Sequence, residues 1–308
     1  MGQGHTGHGH GEGGHSHAGH AHATPPSDWR YAFGMLLNLG FVAVEATYGL
    51  LAHSSALLAD AGHNLSDVLG LAFAGGAAWL ARRKSSARRT YGYGRATILA
   101  ALSNALLLVF ACGAIVWEAV HRFGAPQPVE STTVMIVAAV GVVINAATAM
   151  LFLAGRKADV NVRGAFLHMA ADAGVSVGVI VAGALIMATG WSWVDPVTSL
   201  LIVAVVMIGT WGLLKESMDL AMDAAPAHID IAEVQALLEA QPGVSTVHDL
   251  HVWNMSTTET ALTAHVVCPD GVDDRAVHEM ARAIEEKFGI EHVTLQLERA
   301  EAHDCPEH

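Results

Sequence analysis

Between Trp29 and Leu214 the chain alternates long apolar runs with short polar breaks, and no other feature constrains its fold as strongly. A bilayer's hydrocarbon core is crossed by roughly 20 apolar helical residues, and a helix satisfies its own backbone hydrogen bonds there. Six runs fit that length, at approximately 30–51, 56–81, 96–120, 132–154, 164–189 and 195–214. Gly, Ala and Ser are frequent inside them, as close helix packing in lipid favours. Only 15% of residues are charged, against about 25% in soluble domains. The expected architecture is therefore an α-helical membrane protein with six transmembrane helices over 29–215.

Charge divides the chain further. From Glu216 to the end there are 19 acidic and 4 basic residues, whereas residues 1–215 hold 10 acidic and 12 basic ones. An overall charge of −13 argues against nucleic acid as a partner, since phosphate backbones demand basic surface. The basic residues cluster in two breaks. One carries Arg82, Arg83, Lys84, Arg88, Arg89 and Arg95; the other carries Arg156, Lys157 and Arg163. The opposite breaks hold only Arg122. Basic loops stay on the cytoplasmic side, which predicts a multi-pass protein with both termini in the cytoplasm. Three scattered cysteines (Cys112, Cys268, Cys305) exclude a disulfide scaffold.

Residues 1–28 consist mainly of Gly, His, Ala and Ser and lack bulky apolar groups, so a disordered His-rich tail is expected. They also lack the basic start and apolar core of a signal peptide. The acidic region 216–299 reads as a small α/β unit. Helical spacing covers Ile229–Gln241 and Val272–Phe288, and strands are expected at Val244–Trp253, Glu259–Val267 and Val293–Leu297. The order αββαβ suits an antiparallel sheet under two helices. A His/Cys tail, 300–308, follows.

Two of the apolar runs share a pattern. The second reads ADAGHNLSDVLG and the fifth AFLHMAADAGVS, placing His63 and Asp67, and His168 and Asp172, four residues apart. Residues at i and i+4 share a helix face. If the two faces oppose, two imidazoles and two carboxylates converge, a set that suits tetrahedral Zn²⁺. An ionised Asp near a bilayer centre costs roughly 2.5–3.5 kcal/mol on insertion scales. A divalent cation between two carboxylates removes much of that cost, and protons can replace it when the metal leaves. Hydrogen bonding between helices is the ordinary alternative for a single His or Asp, but it does not call for two matched pairs. Glu45, Asp60, Asn38, Asn104 and Asn145 also fall in apolar runs, where packing or wetting of an access path accounts for them. Asp195-Pro196 is expected to open the sixth helix.

No enzyme signature accompanies the pairs. His278-Glu279 lacks the second His of H-E-x-x-H, and there is no P-loop. The matched pairs, together with TYGYGRATILAALSNALLL, NVRGAFLHMAADAGVSVGVIVAG and HDLHVW, resemble the cation diffusion facilitator family, in its zinc-transporter branch, from about Tyr31 to Glu298. That resemblance implies a six-helix transmembrane domain, a ferredoxin-like cytoplasmic domain, a homodimer, and Zn²⁺ efflux in exchange for protons across a bacterial inner membrane.

The resemblance also implies that His63, Asp67, His168 and Asp172 form the transport site. His248, His265 and Glu298 correspond to a cytoplasmic zinc site. His251, His292 and Cys305 offer a second one, with His303 or His308 as further ligands. His5, His8, His10, His15, His17, His20 and His22 are expected to capture metal weakly on the cytosolic side. The loop between the second and third helices has no metal ligands of the usual kinds, and its basic run is expected to pair with the acidic tail or with anionic lipid. Rival readings are Co²⁺, Ni²⁺ or Cd²⁺ as main substrate, or a membrane-anchored zinc sensor.

Overall fold

The computed structural model describes residues 29–125, 128–153 and 160–300, leaving aside the side chains of 29–35, 151–153 and 160–165. Six long helices come first: α1 (Trp29–Leu51), α2 (Ser55–Ala81), α3 (Arg95–Gly124), α4 (Ser131–Leu153), α5 (Val160–Thr189) and α6 (Val194–Ala221). Among the described residues, four helical stretches are long and apolar enough to cross a membrane: Arg95–Gly124, Ser131–Met150, Phe166–Thr189 and Val194–Ala221. A fifth apolar stretch, Leu36–Leu51, is shorter. The first half of α2 holds Asp60, His63, Asn64, Ser66 and Asp67, which lowers its apolar character.

The bundle closes around a core that includes Phe41, Leu57, Val134, Val137, Ala138, Val179 and Ile202. Small residues let the helices approach closely. At Gly141 of α4, a Cβ would fall 2.8 Å from the Phe41 ring of α1 and 3.2 Å from Ser176 Oγ of α5. Many large apolar side chains point outward instead, among them Phe110, Trp117, Ile208 and Trp211. That is the inverse of a water-soluble surface.

Asp195 falls in the first turn of α6, but its carboxyl serves another helix. It accepts from Ser54 Oγ at 2.5 Å, Ser55 N at 2.7 Å, Ser55 Oγ at 2.6 Å and Ala56 N at 3.3 Å. It thus satisfies amide donors that the start of α2 leaves open. Arg122, at the end of α3, stands 3.6 Å from the same carboxyl and donates to the His53 carbonyl. His53 has a φ of 52°. One buried acid therefore ties α2, α3 and α6 together at one end of the bundle.

Three helix boundaries differ from the sequence expectation by four residues or more, the first being that of α5, which begins at Val160 rather than 164. α3 continues to Gly124, and α6 continues through Lys215 and Glu216 to Ala221. Charged residues end an apolar run without ending a helix. The chain turns only near Asp223 (φ 60°) and Pro226.

The remaining elements are α7 (Ile231–Glu239), β1 (Thr246–Asn254), β2 (Thr260–Val267), α8 (Asp274–Phe288) and β3 (His292–Glu298). Asp230 and Asp273 cap the two helices, accepting from Ala232 N and Ala276 N. Gly289 (φ 69°) ends α8 in the left-handed conformation that glycine adopts without strain. Val234, Leu238, Met280 and Ile284 pack against Val247, Val252, Leu262, Ala264 and Val266 of the sheet.

The sheet is mixed rather than antiparallel. β1 pairs antiparallel with β2, and β2 pairs parallel with β3. The crossover through α8 returns the chain in the direction of β2, as a helix connection between neighbouring strands allows. The two regions meet through the Arg95–Asp223 ion pair at 2.6 Å and a bond from Thr257 N to Thr97 Oγ1 at 3.1 Å. Beside them a cleft of about 920 Å³ separates Arg88, Arg89 and Tyr91 from His251 and Trp253.

Candidate metal sites

The two H-x-x-x-D pairs face each other across α2 and α5. His63 Nε2 lies 3.3 Å from Asp172 Oδ1 and 3.8 Å from Asp67 Oδ2. His168 Nε2 lies 3.2 Å from Asp67 Oδ2 and 3.7 Å from Asp172 Oδ2. The imidazole rings are 6.1 Å apart between centroids and nearly perpendicular, at 77°. Ligands about 2 Å from a tetrahedral centre stand about 3.3 Å from one another, so these separations fit one cation between them. Ligand atoms of His63, Asp67 and Asp172 all come within 4.8 Å of one another, whereas His168, close to both aspartates, stands outside that set. Asp172 is buried, while His168 is the most exposed of the four, at 40%. His63 Nδ1 is buried without a hydrogen-bond partner. The His63 side chain also borders a void of about 10 Å³ that Cys112, Ile202 and Val203 help to line.

A second cluster forms on the face of the sheet turned away from α7 and α8. His248 of β1 stands opposite His265 of β2, and their rings are 5.2 Å apart at 90°. Glu298, at the end of β3, reaches both: Oε2 is 3.0 Å from His248 Nε2, and Oε1 is 3.1 Å from His265 Nδ1. Three ligand atoms at these spacings fit one face of a tetrahedral ion. The Gln296 carboxamide, which donates to Glu298 at 3.0 Å, holds that carboxyl below its ordinary value of 4.5, with His248 adding to the effect.

A β-bulge shapes this face. Between His248 and His251 the ladder shifts: two residues of β1, Asp249 and Leu250, stand against Ala264 alone on β2. Asp249 has a φ of 51°, uncommon outside glycine. The insertion puts His248 and His251 on the same face although they are three residues apart. Asp249 Oδ1 then meets His251 Nε2 at 3.0 Å, and Oδ2 meets His265 Nε2 at 3.5 Å. The His251 bond keeps the Asp249 carboxyl below its ordinary 3.8.

His251 thus pairs with Asp249, and no cluster of metal-binding size among the described residues joins it to His292. His292 lies beside Ala261, at the far end of β3 from Glu298. Cys305, His303, His308 and the histidines of residues 5–22 lie outside the described residues. Cys268 is buried, which pushes its thiol up from 9.0.

Three acids have partners that the sequence does not show. Asp249 sits between two histidines of HDLHVW, and that adjacency was the available signal. Asp195 was legible as a helix start but not as an acceptor for the first amides of α2. Glu45 was visible as the one acid in its apolar run, yet its partner Asp60 emerges only in three dimensions.

Comparison with known proteins follows the same division of the chain. Residues 32–220 match the cation efflux transmembrane domain, and residues 226–300 match the cation efflux protein cytoplasmic domain. The zinc transporter ZitB of Escherichia coli is 40% identical over 280 residues, covering 89% of this chain and 88% of its own. The metal cation efflux system protein CzcD of Cupriavidus metallidurans is 39% identical over 272 residues, 87% of this chain and 86% of its own. The cadmium, cobalt and zinc/H(+)-K(+) antiporter of Bacillus subtilis is 36% identical over 274 residues, 87% of this chain and 88% of its own. With both domains matched in order and such relatives aligned along most of its length, the chain belongs to the cation efflux family, the cation diffusion facilitators, and is a membrane transporter rather than an enzyme.

Proposed function

We propose that this chain exports Zn²⁺ from the cytoplasm in exchange for protons, by alternating access around His63, Asp67, His168 and Asp172. The observation that carries this reading is the pair of His–Asp separations that cross between α2 and α5, His63–Asp172 at 3.3 Å and His168–Asp67 at 3.2 Å. Facing inward, the deprotonated set takes the metal. Facing outward, protons on the imidazoles and carboxylates lower its affinity and release it. An inside-negative potential opposes a doubly charged ion leaving by about 4.6 kcal/mol per 100 mV, and inward protons offset that cost.

In this reading α1–α6 are six membrane spans, with both termini in the cytoplasm and the arginine-rich loops on the same side, in a bacterial inner membrane. The tail is a ferredoxin-like unit: α7-β1-β2-α8-β3 are the last five elements of the βαββαβ order. His248, His265 and Glu298 would hold a structural or regulatory Zn²⁺, whose charge offsets repulsion between the acidic tails of a homodimer. The N-terminal histidines would capture metal.

Nitrogen ligands of intermediate softness in the membrane set lean toward Zn²⁺. Co²⁺, Ni²⁺ and Cd²⁺ are the competing substrates, and one relative's name includes cadmium and cobalt. A sensor that used the bundle only as an anchor would have no use for paired ligands inside it. The test is Zn²⁺ flux by the purified protein in liposomes under a pH gradient. Asp172→Ala is expected to abolish flux while leaving metal binding by the tail intact, and unchanged flux in that variant would refute the mechanism.

A further inference from the structure

Beside the four-residue set lies a polar pair that the exchange described above leaves unused. Glu45 of α1 and Asp60 of α2 are both 0% exposed, and their carboxyl groups stand within hydrogen-bonding reach of each other. One oxygen of each is held from elsewhere. Asn64 Nδ2 donates to Glu45 Oε2 at 2.9 Å, and Ser176 Oγ donates to Asp60 Oδ2 at 2.9 Å. The other two, Glu45 Oε1 and Asp60 Oδ1, are buried and have no donor at all. His63 of α2 and Asp172 of α5 are the nearby titratable groups. α4 contains none, and the described ion pairs bring no Lys or Arg to either carboxyl.

Two ionised carboxylates in contact in a low-dielectric setting repel each other, so such a pair retains a proton. A single proton held by the pair removes the repulsion and supplies a donor where the two unpartnered oxygens have none. The pair is also well placed. Asp60 precedes His63 by three residues and its anchor Ser176 follows Asp172 by four, so the acid and its anchor each lie one turn from a residue of the cluster. On the proposed orientation that turn is the outward one, since α1 ends and α2 begins at the outer face.

We propose that Glu45 and Asp60 store a proton of the exchange and pass it to the freed ligands as the metal departs outward. The inference rests on the antiport reading above. The O–H bond of the pair breaks, an O–H or N–H bond forms on a vacated ligand, and the pair refills from the outer solution. It makes Glu45 and Asp60 coupling residues, distinct from the metal ligands.

The test uses full-length protein in liposomes carrying Glu45→Gln or Asp60→Asn, with two measurements on each. One is Zn²⁺ uptake driven by a pH gradient; the other is exchange of labelled for unlabelled Zn²⁺ at equal pH. Loss of the driven flux with retained exchange is the expected result. Driven flux of wild-type size and pH profile in both variants would overturn the proposal. So would loss of both modes in variants that remain monodisperse, since that marks a structural or metal-binding role. Infrared spectroscopy of the zinc-free wild-type protein supplies a check independent of variant folding. A protonated-carboxyl band should be present at neutral pH, and its absence would also overturn the proposal. Asp172→Ala separates the two ideas: if it keeps both modes, antiport through the cluster fails and the pair with it. If it abolishes both while Glu45→Gln behaves as wild type, only the pair fails.

Discussion

Single residues in the tail carry testable electrostatics. Glu298 touches both His248 and His265, so Glu298→Gln removes the one anionic ligand of that cluster. Zinc bound per chain should fall by one under equilibrium dialysis in a protein lacking residues 1–28, and an unchanged count would exclude the cluster as a site. The carboxyls of Glu298 and Asp249 both titrate lower in the folded chain than in ordinary surroundings. A depressed folded value stabilises the fold at pH above the unfolded one and is lost as pH falls through the folded one. Tail stability in zinc-free protein should therefore be steady above about pH 4.5 and decline below it. Replacing both acids by their amides should flatten that acid limb in thermal melts read by circular dichroism, and an unaltered limb would show that other groups govern it.

Elements were legible from sequence where periodicity and chemistry agreed. The H-x-x-x-D pairs announced a shared face on each of two helices, and α2 and α5 do bring those faces together. The αββαβ order followed from the alternation of Val, Leu and Ile in the tail. Strand direction was less accessible, because a crossover helix such as α8 permits a parallel neighbour that apolar alternation cannot reveal. Caps that come from a distant helix leave no local signal either. Asp195 is 140 residues from Ser55 in sequence, yet it accepts from the first amides of α2 beside the helix's own cap, Ser54, which accepts from Leu57 N. Asp195→Ala would leave the Ser55 and Ala56 amides without their acceptor and Arg122 with Glu118 as its remaining acid. A loss of about 3 kcal/mol is expected from charge-assisted bonds of this kind. It should appear as a lower melting temperature of the detergent-solubilised protein, and an unshifted melt would show that these bonds are replaced by water.

At the scale of the whole molecule, the bundle turns large apolar side chains outward while the tail concentrates negative charge, so the two regions answer to different solvents. In the proposed homodimer the acidic tails repel, and bound metal offsets that repulsion. Spin labels on the two tails should approach when zinc is added and separate when it is chelated, and Glu298→Gln should blunt the response. Equal distances with and without metal would argue that the tails are fixed by packing alone. The path between the two regions runs largely along α6. Its 28 residues form an unbroken rod of about 42 Å, pinned near one tip by Asp195 and followed, just past the other, by the Arg95–Asp223 contact. A rod of that length acts as a lever: tipping it by about 10° carries the free end sideways by roughly 7 Å. Small rearrangements at the buried pin and large excursions of the acidic tail are then two readings of a single displacement.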